Sequence, residues 1–215
     1  MDEFLLRFDK NKKYCFLDYE TENLCLYTPN NLPWQVAMIA LIGDKVVDKG
    51  EYMRYIKWYR PPEVSPEASF VTKFDPKNIA LFGTDYKEVI SDVVNWTSEA
   101  DYIVGHNVLG FDIHFLSWFY LFVDKSPVGL AEKVIDTHAL AKGIKLNQTF
   151  DRKQGSLLEY QYKMIHTIAK GVKTNTKTLG SEYGIEHDYE NLHDALVDLQ
   201  LNIKIWDKIK HQVEI

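Results

Sequence analysis

Phe16-Leu17-Asp18-Tyr19-Glu20 closes an apolar run that opens at Tyr14, and it carries two carboxylates separated by one residue. In a strand, alternate side chains share a face, so Asp18 and Glu20 point together into the space above the sheet and Tyr19 points the other way, toward the core. Two neighbouring anions repel. They are stable when solvated or when a cation lies between their oxygens, and oxygen-only ligands suit Mg²⁺ or Mn²⁺. A lone Asp-x-Glu at a strand end is as readily a solvated turn, so its meaning depends on what other segments bring to it.

Working outward, Asn30-Asn31-Leu32-Pro33 supplies turn chemistry before a second strand at Trp34 to Gly43, and Lys45 to Lys57 alternates as a third. Short connections predict an antiparallel meander of these with Tyr14 to Asp18. Arg60 to Pro66 is proline-rich and reads as extended or looped. Val89, Ile90, Val93, Val94 and Trp96 have helical spacing within Thr84 to Ala100, with Thr84 or Asp85 as N-cap. Asp101 to Val104 is a short strand ending at Gly105-His106-Asn107. Asp112 to Val123 is apolar almost all round and reads as a buried helix with Asp112 in its first turn. Val134-Ile135, within Lys133 to Leu140, forms a further strand that runs into Asp136-Thr137-His138. Leu192 to Ile209 reads as a long closing helix. Strands alternating with helices from residue 84 onward imply parallel pairing. The expected fold is α/β: a mixed five-stranded sheet, antiparallel meander plus parallel strands, flanked by helices, in a single domain over residues 1–215.

The 215 residues are 46% hydrophobic and 13% aromatic, enough for a sizeable core. Two cysteines, Cys15 and Cys25, fit a reducing compartment better than a disulfide framework. Met1 to Lys13 lacks a long apolar stretch, and no apolar run approaches the ~18 residues that span a bilayer. A cytoplasmic protein with no membrane partner is expected. The net charge of −6 counts against a nucleic-acid partner for the chain as a whole. Residues 142–177 differ: eight basic residues face Asp151 and Glu159, a local charge of +6. This basic insertion contains a helical stretch, Ser156 to Ala169. A charge run is usually a solvated face.

Acids at element ends therefore occur in three separated places: Asp18 with Glu20, Asp112, and Asp198. His193 precedes Asp198 by five residues, about 140° away around a 3.6-residue turn, so it belongs at the helix start or on the preceding loop, with Asn191 or Asp194 as cap. Asp18-Tyr19-Glu20-Thr21, then Gly105-His106-Asn107 with Phe111-Asp112, then His193-Asp194-Ala195-Leu196-Val197-Asp198 resembles the three motifs of the DnaQ-like 3′→5′ exonuclease superfamily, in its DEDDh branch. Supporting similarity runs through Gln35-Val36-Ala37, Pro62 to Ala68, Asp136-Thr137 and Leu179 through Gly184-Ile185. In the sister branch a tyrosine stands four residues before the last acid; here that position is Asp194. The second motif has three residues, Val108 to Gly110, where the family more often has two.

The resemblance implies a ribonuclease-H-like fold and two Mg²⁺ or Mn²⁺ ions held by Asp18, Glu20, Asp112 and Asp198. It makes His193 the general base for hydrolysis of a phosphodiester at a free 3′ end. A histidine with ordinary pKa ~6.5 can take a proton from water near neutral pH. Tyr19, Thr21 and Asn107 are expected near the 3′-terminal nucleotide, although His106 and Asn107 serve equally to fix a turn. Lys163, Lys170 and Lys173 are expected to hold phosphates, with Phe150, Tyr160 and Tyr162 stacking bases. Single-stranded or frayed DNA is the expected substrate, and replication or repair proteins are candidate partners. The alternatives are an RNA exonuclease or oligoribonuclease-like enzyme, or a non-catalytic nucleic-acid-binding polymerase-accessory module. Gln154 to Leu158 loosely resembles a sliding-clamp-binding peptide, a kind of match that arises freely.

Overall fold

In the computed structural model, which describes residues 11–213 apart from 25, 27–30, 152 and 154, β1 (Lys13–Thr21) lies inside a mixed sheet rather than at its edge. It pairs antiparallel with β2 (Pro33–Ile42), which pairs antiparallel with β3 (Lys45–Lys57), giving the expected meander. On its other edge β1 pairs parallel with β5 (Tyr102–Gly105), and β5 pairs parallel with β6 (Val134–Asp136). A two-residue strand, β4 (Thr84–Asp85), runs parallel to the end of β3. Among the described residues the sheet thus has six strands, in the order β4-β3-β2-β1-β5-β6, against five expected. The added strand is too short to leave a periodicity in the sequence.

Alternation along β1 divides the core. Cys15, Leu17 and Tyr19 pack with α3 (Tyr86–Glu99) and α4 (Asp112–Phe122) on one face. Tyr14 and Phe16 pack with α5 (Thr137–Lys145), α7 (Thr176–Glu182) and α8 (Ala195–Ile209) on the other. Asp18 and Glu20 continue the Tyr14–Phe16 face. A one-residue slip of register would turn them into the opposite core layer, and pairing on both sides of Tyr14 to Phe16 guards against this.

Several elements differ from expectation. α1 (Pro66–Thr72) and α2 (Pro76–Phe82) lie in and beyond the proline-rich stretch; each starts with proline in its first turn behind a side-chain cap, Ser65 or Asp75. α5 and α7 are also helices where none was predicted. α4 is not buried all round: Leu121 is exposed, and Trp118 and Phe122 are exposed on one side while packing against Trp58 and Tyr86 on the other. In the basic insertion α6 (Leu157–His166) begins at a capping box between Ser156 and Glu159. Its Gln161 accepts from Asp136 N at 2.6 Å and donates to the Val134 carbonyl at 3.0 Å, so a side chain serves as the missing neighbour of β6. Asn30 of the predicted turn, Cys25, Arg152 and Gln154 lie outside the described residues; Cys15 is buried and free. No described helix is long and apolar enough to cross a membrane.

Candidate active site

β1, β5 and β6 run parallel, β5 and β6 end together at Gly105 and Asp136 while β1 continues to Thr21, and the predicted acids gather at this carboxyl end of the sheet, where ligands of open α/β sheets bind. Pairing of β1 with β5 stops at Phe16 and Val104. Beyond that point the β1 edge is open, and the N–H of Tyr19 donates to Asp112 Oδ1 at 3.2 Å. The first turn of α4 is thereby fixed against β1. Gly105 makes the approach possible, because a Cβ there would stand 2.7 Å from the Leu17 carbonyl oxygen.

On the opposite face α8 brings Asp198, and the loop before it brings His193. Ligand atoms of Glu20, His193 and Asp198 all lie within 4.8 Å of one another. His193 is exposed and sits at φ 74°, a left-handed conformation uncommon for a residue with a Cβ, while its N–H donates to Asp198 Oδ2 at 3.1 Å. Asp194 caps α8 through the N–H groups of Leu196 and Val197. Gln35 of β2 holds this corner from both sides: its Nε2 donates to Asp194 Oδ2 at 3.1 Å and its Oε1 accepts from Ala195 N at 3.2 Å. Gln35 stood out in the sequence only as part of a motif; its role depends on a partner far along the chain.

Electrostatics identify the cluster as unfavourable without a counter-charge. Burial raises the Asp18 carboxyl well above its usual range, and Asp112, Glu20, Asp198 and Asp194 raise it further. Glu20 is raised for the same reasons, burial first and then Asp198, Asp112 and Asp194. Burial pushes Asp112 up to about 8, against the opposing hydrogen bond from Tyr19 N. Asp198 is pushed to about 6 by burial, with the His193 N–H and ring acting in the other direction. Among the described residues no basic side chain other than His193 offsets these four carboxyl groups, and their donor type and charge fit one or more hard divalent cations.

Asp136, not predicted as functional, builds the floor. Its Oδ1 accepts from Asn107 N, His138 N and Ala139 N, and its Oδ2 from Leu109 N, at 3.0–3.2 Å. One buried carboxylate therefore caps α5 and holds the turn after β5; burial raises it to about 6 in spite of the four donors. The extra residue of the second motif is absorbed in a 3-10 turn, Val108–Gly110, entered through Asn107 at φ 65°. A Cβ at Gly110 would meet Asn107 Oδ1 at 2.4 Å. Asp136→Ala strips partners from four N–H groups at once and is expected to cost about 3–5 kcal/mol, which is roughly 6–20 °C in a chain of this size. Calorimetry checks it, and a fall of under 2 °C would contradict the role.

His106 lies beside this floor. Its Nδ1 is 3.1 Å from Thr137 Oγ1, and its ring meets His138 edge-on at 5.4 Å. Burial, with the His138 ring adding, lowers it to about 3, so it is neutral at physiological pH. A cleft of about 790 Å³ opens between Asp18, His106, Asn107, Phe111 and Asp112, with Leu24 at its rim. Asn107 thus fixes a turn and also faces the cleft. Tyr19 also lines this cleft, and the side chains of Tyr19 and Thr21 are buried. The Tyr19 ring is 5% exposed and packs against Phe115 and Phe119 in the core, and the Thr21 hydroxyl is buried and donates to the Asn23 carbonyl at 2.8 Å.

The basic insertion is likewise divided. Phe150 is 6% exposed and packs on Tyr160, whose hydroxyl donates to the Gln148 carbonyl at 2.8 Å, so neither ring is free to stack on a base. Tyr162 is exposed. Lys142 and Lys145 donate to the backbone of Ile165 and Lys173. Lys163, Lys170 and Lys173 are exposed. Thr174, next to Lys173, has its Oγ1 3.0 Å from Nδ1 of His138, whose ring meets that of His106 in the cleft.

Residues 15–206 match the RNase_T family model, described as exonuclease. No curated protein matches the chain in sequence. Among solved structures, E. coli exonuclease I in complex with a dT13 oligonucleotide is similar over 94% of this chain and 42% of its own, at 18% identity and a TM-score of 0.69. The zinc-bound exonuclease I–ssDNA complex from E. coli is similar over 93% and 40%, at 19% identity and a TM-score of 0.70. The ExoI/SSB-Ct complex is similar over 93% and 41%, at 17% identity and a TM-score of 0.69. The chain thus spans about two fifths of the length of these proteins, and the likeness establishes a shared fold.

Proposed function

The chain belongs to the RNase_T exonuclease family, within the DnaQ-like superfamily, and on that premise we propose that it shortens single-stranded or frayed DNA from the 3′ end by metal-dependent hydrolysis of the DEDDh type. One observation carries this reading: β1 and the start of α8, remote in sequence, bring Glu20, His193 and Asp198 within 4.8 Å, with Asp18 and Asp112 in the adjoining cleft. Asp18, Glu20, Asp112 and Asp198 would hold two Mg²⁺ or Mn²⁺ ions. Bound cations supply Lewis-acid stabilisation of the charge that develops on the phosphate and the departing 3′ oxygen. His193, exposed at the mouth of the cluster, takes the proton of the attacking water. Asn107 and Phe111 line the space where the terminal nucleotide is held. The whole of residues 11–213 is read as a single exonuclease domain.

The ssDNA complexes of exonuclease I, the fold's solved examples, support a single-stranded substrate, and the ExoI/SSB-Ct complex supports a replication or repair protein as partner. The test is incubation with 5′-labelled single-stranded DNA, RNA and mismatched duplex in Mg²⁺, Mn²⁺ or EDTA. A ladder shortening from the 3′ end of DNA, absent in EDTA, is expected; faster shortening of RNA would transfer the reading to an RNA exonuclease.

Lys163, Lys170 and Lys173 are proposed to hold the strand's phosphates. Replacing all three by glutamine is expected to weaken binding and to reduce the slope of log K against log salt by about 2, at ~0.7 per lost single-strand contact. An unchanged slope would make the insertion a scaffold or a protein-binding surface.

A further inference from the structure

A second cleft, about 390 Å³, lies on the outer side of His193 and is lined by Trp34, Tyr55, Lys73, Asn78, Asn191 and Asp194 among others. Within it Lys73 reaches across to the His193 loop: its Nζ donates to the Glu190 carbonyl at 2.5 Å and to Asn191 Oδ1 at 3.0 Å. Asn191 is in turn fixed by Asp188, whose carboxylate accepts from Asn191 Nδ2 at 2.6 Å and from the Glu190 and Asn191 N–H groups. The loop enters α8 four residues later, at Ala195.

Lys73 is itself held in place. It stands at φ 54° at the end of α1, where its N–H donates to the Ser69 carbonyl. Phe74 N also donates to Ser69 O, and Ser69 Oγ donates back to Phe74 O at 3.1 Å. The Phe74 ring packs edge-on against Trp34 at 5.1 Å, and Trp34 adjoins Gln35. His193 is thus suspended between two anchors, Lys73 before it and Gln35 after it. A residue in a left-handed conformation persists only where its surroundings over-determine it. Gln35 fixes the helix end of the segment, and Lys73 supplies the restraint on the loop end.

We propose that Lys73 is a positioning residue that holds the 190–193 loop so that the His193 ring stays over the acid cluster. It contributes through His193 and not by contact with the strand. This inference rests on the exonuclease reading. The experiment compares Lys73→Ala and Lys73→Arg with the unaltered chain, each also combined with His193→Ala, on 5′-labelled single-stranded DNA. Hydrogen exchange of residues 190–194 is measured in parallel without substrate. Lys73→Ala is expected to lower kcat tenfold or more with KM within about twofold, the scale on which misplacement of a catalytic group acts. Lys73→Arg recovers most of the rate, Lys73→Ala adds no further loss to His193→Ala, and residues 190–194 exchange faster while α8 does not. An equal loss in both backgrounds overturns the proposal, as does a raised KM with flattened salt dependence, which would make Lys73 a phosphate contact. Should the His193→Ala chains fall below detection, unchanged exchange at residues 190–194 overturns it alone. Failure of the unaltered chain to shorten any strand would sink the exonuclease reading, and the exchange measurement would still report what Lys73 holds.

Discussion

Asp18→Asn is expected to abolish the proposed shortening of 3′ ends and, in EDTA at pH 8, to raise the melting temperature. Both follow from one cause. The Asp18 carboxyl is buried beside Asp112, Glu20 and Asp198, so its charge is unfavourable until cations offset it. Carboxyls whose folded pKa is raised bind more protons in the native chain than in the unfolded one, so metal-free stability falls as pH rises between their unfolded values and their folded ones. With unfolded values near 4, and Asp198 and Asp112 raised to about 6 and about 8, that window runs from about pH 4 to 8. EDTA-treated protein should therefore melt lower at pH 8 than at pH 5, and Asp18→Asn should flatten the decline. Each kcal/mol recovered appears as about 2–4 °C. Added Mg²⁺ should reverse the order, since the unaltered chain gains by binding what the variant cannot hold. A variant that melts below the unaltered chain in EDTA at pH 8 would refute the account of a charge-strained site.

The second large effect is at His193. His193→Ala should lower kcat about 10²–10⁴-fold, the usual contribution of a general base, while leaving the affinity for a 3′-ended strand within a few fold. The His193 backbone N–H, which bonds to Asp198, remains in the variant, so the acid cluster keeps its geometry. His193→Ala should also stay folded. Alanine has no better claim than histidine to φ 74°, so no stabilisation is expected. Single-turnover rates with excess enzyme would separate chemistry from binding. If His193→Ala changed affinity and left the chemical step alone, the histidine would be a substrate contact and another group would have to accept the proton.

The order of the acids was legible because each is placed by local structure. Asp18 and Glu20 share a face by strand alternation, and the same rule sends Tyr19 into the core; Asp112 and Asp198 follow from first-turn positions of helices. The restriction of His193 to a loop followed from helical geometry alone. What was not legible depends on distant partners. Gln35 is one more polar residue in a strand until Asp194 and Ala195 arrive beside it. Asp136 carried a usable signal, an acid between a buried strand and a helix-compatible Thr-His-Ala-Leu, but its reading as a strand continuation hid the cap. α1 was hidden by the opposite error: Pro66 was read as part of a loop where, behind Ser65, it starts a helix; α2 starts in the same way at Pro76 behind Asp75, in a stretch too short to show a period. Phe150 and Tyr160 were misjudged because aromatic residues in a basic run fill a local core as readily as they meet bases.

The bond between Gln35 and Asp194 joins positions 159 apart in sequence. Such a closure is slow to form, because the loop entropy between the partners is lost before the contact compensates for it. A chain emerging from the ribosome and folded only as far as α7 would already display Asp18, Glu20 and Asp112 on a paired sheet, yet have neither His193 nor Asp198 to complete them. On the proposed reading, hydrolysis is therefore coupled to completion of the fold, and an unfinished chain would hold only part of the acid set.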